Sequence, residues 1–169
     1  MKTTRKIVRA NPRRLSIAAQ AHAKEELEYD KDFSKWANTQ ARLLKKREFS
    51  KLDIDNLIEE IEDLSKREKQ RLTSHLENLL MHKLKVKFQP EKHTKSWDFS
   101  IKEASHKAQK TLSENPSLKP KLKEIIKDAY FYARLKAASE TEMEENKFPE
   151  ECLWSLEEIF PDLNKKYIK

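Results

Sequence analysis

The sequence predicts an all-α protein: a compact bundle of four to five main helices with a short C-terminal helix, preceded by a basic N-terminal arm. Three observations carry this. Apolar residues recur at three- and four-residue spacing between Phe33 and Ile159, the period of an amphipathic helix. No stretch alternates apolar and polar for long enough to read as a strand. The 169 residues contain no glycine, where ordinary usage would supply about a dozen.

Residues 1–28 form the predicted arm and 29–169 the helical domain. In the domain, Phe33, Trp36, Ala37, Gln40, Leu43 and Leu44 define one face of a first helix. Lys45, Lys46 and Arg47 complement the negative end of its dipole. Trp36 reads as a core anchor. The segment Leu52 to Pro90 follows, with Asp53 as N-cap and Ile54, Leu57, Ile58, Ile61 and Leu64 on one stripe. Ser65 with Glu68 has capping-box spacing and predicts a restart, so two helices are expected, 54–63 and 66–88. Leu72, Leu76, Leu79, Leu80 and Lys83 carry the second stripe, flanked by Leu84 and Val86. Gln89-Pro90 stops it, because a residue before proline is pushed out of helical geometry.

Trp97, Ile101, Ala104, Ala108 and Leu112 mark a helix over about 97–114. Asn115-Pro116 predicts a cap and first helical position, with Leu118 to about Ser139 as the next helix and Pro120 near its first turn. Phe131 and Leu135 fall off its main face. The segment FPEECLW is expected to cross the bundle through Phe148 and Trp154. Ser155 with Glu158 predicts a capping box opening a short helix that Pro161 ends.

Absence of glycine excludes the Walker phosphate loop, the dinucleotide-binding turn and the nucleophile elbow. It also denies helix ends their usual left-handed cap, leaving Asn, Lys or proline as expected stops. A single cysteine, Cys152, excludes an internal disulfide and a cysteine-rich zinc site, and reads as a packed residue rather than a nucleophile. No apolar run reaches membrane-spanning length and no secretory segment is read, so a cytoplasmic setting is expected.

Charge is unevenly placed. Residues 1–24 carry Lys2, Arg5, Lys6, Arg9, Arg13, Arg14 and Lys24 and no acid, which leaves 29 bases against 29 acids in the rest. The whole formal charge of +7 therefore belongs to residues 1–24. Arginine clusters of this kind seek phosphate-rich surfaces. Arg5, Lys6, Arg9, Arg13 and Arg14 are the candidate contacts to nucleic acid or an anionic protein. Without interleaved aromatic residues, sequence reading is not expected. A solvated tail is the competing reading, a transit-like presequence ranks below it, and Leu15 to Leu27 would suit a short helix.

The strings LDIDNLIEEIEDL, LLMHKLK, QPEKHTKSW, NPSLKP and FPEECLWSLEEI, in that order between Tyr29 and Phe160, resemble the family called domain of unknown function 29, a mostly bacterial group. The resemblance implies an all-helical domain and no activity or cofactor. Asn56, Glu59, Glu62, His82 and Trp97 fall in its signature blocks, and form a candidate polar cluster. Ser65 stands where the family pattern has glycine, which implies a less sharply bent junction.

A metal-binding or hydrolytic bundle would draw on Glu59, Glu62 and Asp63 with His82. His75 and His82 are seven apart, roughly 10 Å along a helix, too far to bind one ion together. A solvated acidic face with two boundary histidines is the plainer reading; His93 and His106 read as exposed. The leading expectation is a non-catalytic helical interaction protein. The metal or hydrolytic bundle comes next, and one half of a toxin–antitoxin or effector–regulator pair last.

Overall fold

The computed structural model describes residues 28–161. Residues 28–31 are helical, and helix α1, Phe33–Lys46, starts where the Asp32 carboxylate accepts the Lys35 backbone N–H at 3.0 Å. Helices α2 (Ile54–Phe88), α3 (Lys95–Glu114), α4 (Leu122–Thr141) and α5 (Leu156–Ile159) follow, joined by short 3-10 turns. No strand occurs among the described residues, as the periodicity predicts. The described residues fall into two compact units that divide between Asp63 and Leu64.

In the first unit, Trp36, Gln40 and Leu43 are the buried face of α1, while Phe33 and Leu44 of the expected face are exposed. Tyr29 packs edge-on against Trp36, with ring centroids 4.8 Å apart. The Trp36 indole in turn reaches the start of α2.

The expected break near Ser65 is absent: α2 is one helix from Ile54 to Phe88. Ser65 lies within the helix instead of capping one, and serine costs only tenths of a kcal/mol at such a position. Neither glycine nor proline interrupts the run. Glu68 serves neighbours instead, accepting from Arg71 and from the Asn115 side chain.

In the second unit, side-chain pairs set the helix directions. Arg71 meets Glu114 while Lys85 lies over Trp97, so α3 runs antiparallel to the second half of α2. Lys69–Glu124, Glu77–Lys136 and Lys85–Glu140 advance together along both chains, so α4 runs parallel to it. The core joins Leu72, Leu76, Leu80 and Leu84 to Ala104, Ala108 and Leu112, and to Ile125, Ala129, Ala133 and Ala137. Alanines at four-residue steps leave room for close helix approach. Each fully buried leucine or isoleucine contributes about 1.5–3 kcal/mol over an exposed one. Leu84 is core, whereas Lys83, expected on the stripe, is half-buried with its ammonium over the Trp154 ring.

The C-terminal segment crosses this core as expected. Phe148 is buried edge-on against Phe88, with centroids 5.0 Å apart, and Tyr130 Oη donates to the Pro149 carbonyl oxygen. The Ser155–Glu158 capping box is present. One boundary differs: Pro116–Lys121 is a 3-10 turn and α4 begins only at Leu122. Pro120 supplies no N–H and disfavours helical geometry at Lys119, which delays the α-helix.

Helix ends show the cost of a glycine-free chain. Arg47 (φ 58°) and Glu142 (φ 59°) take the left-handed conformation after α1 and α4, where glycine is usual. At Arg47 the motif is complete, its own N–H bonding Leu44 O and the Glu48 N–H bonding Leu43 O, both at 3.0 Å. Asn115 does serve as the stop of α3, its N–H and side chain both donating to Thr111 O.

Candidate functional site

Two polar centres and one apolar face emerge. The first centre lies in the first unit, at the start of α2. Asp53 is buried, and its carboxylate accepts from Trp36 Nε1 at 2.9 Å, Asn56 Nδ2 at 2.7 Å and the Asn56 backbone N–H at 3.4 Å. Its own N–H donates to Gln40 Oε1 at 3.0 Å. The N-cap role is as expected; the indole and amide partners are added by the fold. Next to it, Tyr29 Oη donates to Glu60 at 2.7 Å. That hydrogen bond, then burial and the charges of Glu60, Glu59 and Asp63, push the phenol up to about 12.

These contacts turn the Asn56, Leu57 and Glu60 side of α2 towards the first unit's interior. The stripe expected in the core consequently faces outward: Ile54, Ile58 and Ile61 are exposed, the last two by 52% and 65%. Leu57 is half-buried and Leu64 exposed. Asp55, Glu59 and Glu62 follow at steps of four and three along one margin of the isoleucines, all exposed.

The second centre lies in the second unit. Lys85 is buried, with Nζ 2.5 Å from Glu140 and 4.4 Å from the centre of the Trp97 ring. Burial and the Lys85 charge lower the His82 imidazole below its usual value, with Glu140 opposing them; Nδ1 is buried without a hydrogen-bond partner. His75 is also lowered, by burial and then by Lys107 and Arg71. Gln89 Nε2 donates to the Thr141 carbonyl oxygen at 3.0 Å, tying the end of α2 to the end of α4. His93 is exposed and lies 2.8 Å from Asp98; His106 is exposed too.

Of the sequence-predicted polar cluster, Asn56, Glu59 and Glu62 belong to the first unit, and His82 and Trp97 to the second, where both border Lys85. Asp63, named with Glu59, Glu62 and His82 as a metal candidate, belongs to the first unit. Among the described residues no three His, Cys, Asp or Glu side chains are grouped to hold a metal ion. Burial pushes the Cys152 thiol up, and it donates to the Trp154 carbonyl oxygen at 3.6 Å; a raised thiol is a poor nucleophile. Arg5, Lys6, Arg9, Arg13 and Arg14 lie outside the described residues, as does the helix expected from Leu15 to Leu27.

Sequence reasoning misses Lys85, Glu140 and the Gln40–Asp53 pairing. A lysine beside Leu84 reads as solvated from pattern alone. Gln40 on an otherwise apolar face is the one available signal of a buried polar partner.

No helix among the described residues is long and apolar enough to cross a membrane. No curated protein and no solved structure matches the chain. The family model described as Domain of unknown function DUF29 matches residues 28–167, and the chain belongs to that family.

Proposed function

We propose that this chain is a non-catalytic helical interaction protein whose residues 1–24 contact nucleic acid or another anionic partner. The charge of residues 1–24 carries the choice of partner, and the outward stripe Ile54, Ile58 and Ile61 supports the reading of a binding protein. A helix with this spacing ordinarily buries its apolar stripe, and grouped exposed apolar side chains mark interaction surfaces. Confinement of the whole +7 to residues 1–24 supports the second half of the reading, since such clusters neutralise phosphates and release counterions.

The test is fluorescence anisotropy of a labelled generic polynucleotide at low salt. Replacing Arg5, Lys6, Arg9, Arg13 and Arg14 by glutamine should remove most binding. The logarithmic salt slope should fall by about 0.7–0.9 for each phosphate that is no longer neutralised. Equal affinity and slope in the variant would refute the arm's role.

A further inference from the structure

We propose that residues 1–27 of the chain dock on the Ile54–Ile58–Ile61 face of α2 in the same molecule, so that the arm is masked until an anionic partner displaces it. This rests on the reading of residues 1–24 as the anion-seeking segment and names their resting partner.

The face has the chemistry of a receptor for a basic, partly apolar segment. Its isoleucines sit at steps of four and three and are exposed. Asp55, Glu59 and Glu62 run along one margin. The surrounding sequence, residues 52–64, contains Asp53, Asp55, Glu59, Glu60, Glu62 and Asp63 and no base. The arm is its complement, with seven bases, no acid in residues 1–24, and Ile7, Val8, Leu15 and Ile17 as apolar residues. Opposite charge and burial of the apolar side chains hold such a pairing together, and neither suffices alone. A second copy is disfavoured as occupant, because it would bring another acidic margin against the first.

The place where the arm joins the described chain favours docking within one molecule. Residue 27 is followed by Glu28 and Tyr29, and the Tyr29 hydroxyl is bonded to Glu60 on this same stretch of α2. The arm therefore starts at the level of the face, from the inward side of the same stretch of α2. Twenty-seven residues reach up to about 90 Å when extended, against a stripe about 10 Å long. Tethering gives the arm an effective concentration on the order of millimolar, so a weak intrinsic affinity suffices.

The test uses the full chain. Carbodiimide coupling at low salt should join Lys2, Lys6 or Lys24 to Asp55, Glu59 or Glu62, the links being located by mass spectrometry of a digest. In an equal mixture of light and heavy-isotope chains, every such link should stay within one isotope. The Ile58→Ser/Ile61→Ser variant changes no charge at two exposed positions; it should lose the links and bind the polynucleotide about three- to tenfold more tightly, its arm now unmasked. Links between isotopes would overturn the proposal in favour of a second copy. No links, with unchanged polynucleotide affinity in the variant, would also overturn it. If the five-site glutamine variant still loses polynucleotide binding in that case, the proposed function stands without the masking; if it does not, both fall.

Discussion

Trp36 Nε1 donates to Asp53 Oδ2 at 2.9 Å, and both residues are only 2% exposed. A buried carboxylate persists here because the indole, the Asn56 amide and a helix N-terminal N–H all point at it. The pairing fastens α1 to the start of α2 and thereby decides which side of α2 faces outward.

Asp53→Ala removes the acceptor and leaves the indole N–H and the Asn56 amide without it. The loss should be about 1–3 kcal/mol, read from the urea midpoint. Asp53→Asn keeps one acceptor oxygen and should lose less.

The two ends of α2 should respond oppositely to loss of apolar side chains. Leu76→Ala and Leu80→Ala empty the core of the second unit and should each cost about 2–5 kcal/mol. Ile58→Ser and Ile61→Ser give up only the contact with the arm and should each cost less than about 1 kcal/mol. Thermal unfolding followed by circular dichroism separates the two classes.

Glycine at the left-handed caps should stabilise. Arg47 and Glu142 hold φ near 60°, a conformation that disfavours any side chain by roughly 1–2 kcal/mol. Arg47→Gly and Glu142→Gly should each raise stability by about 1 kcal/mol or somewhat less, because glycine also loosens the unfolded chain. Urea unfolding reads the gain, and no change at either position would mean that the caps relax in solution.

Stability should fall on mild acidification. His75 and His82 are both lowered by burial and by neighbouring cations, Lys107 and Arg71 for the first and Lys85 for the second, with Glu140 opposing at His82. A depressed folded-state value means that the unfolded chain takes up protons first. The contribution is therefore complete above the unfolded value of about 6.5 and is lost as pH falls from there through the folded values. The melting temperature should drop between neutral pH and about pH 5. The His75→Gln/His82→Gln variant should show a flatter dependence over the same interval.

Much of the architecture is legible in the sequence because periodicity reports the helix directly. The stripes of α3 and α4, the Ser155 cap and the Phe148 crossing all follow from spacing and local chemistry. Orientation is not legible. The pattern Ile54, Ile58, Ile61 is the same whether a partner helix lies on it or beside it, and only the Trp36–Asp53 and Tyr29–Glu60 bonds choose. Continuity of α2 through Ser65 escapes the sequence because a capping-box spacing also fits a helix interior. Lys85 escapes it because a buried lysine depends on Glu140 and Trp97, both distant in sequence.

The most direct test is the reactivity of a thiol placed on the outward stripe. With Ile61→Cys in a Cys152→Ser background, labelling by a maleimide is timed at low salt and at about 1 M salt, where screening reaches about 3 Å. Labelling should be slow at low salt and rise at high salt to the rate of an unprotected thiol, as the arm leaves the face. Labelling equally slow at both salt concentrations would place Ile61 in a core and contradict the outward stripe.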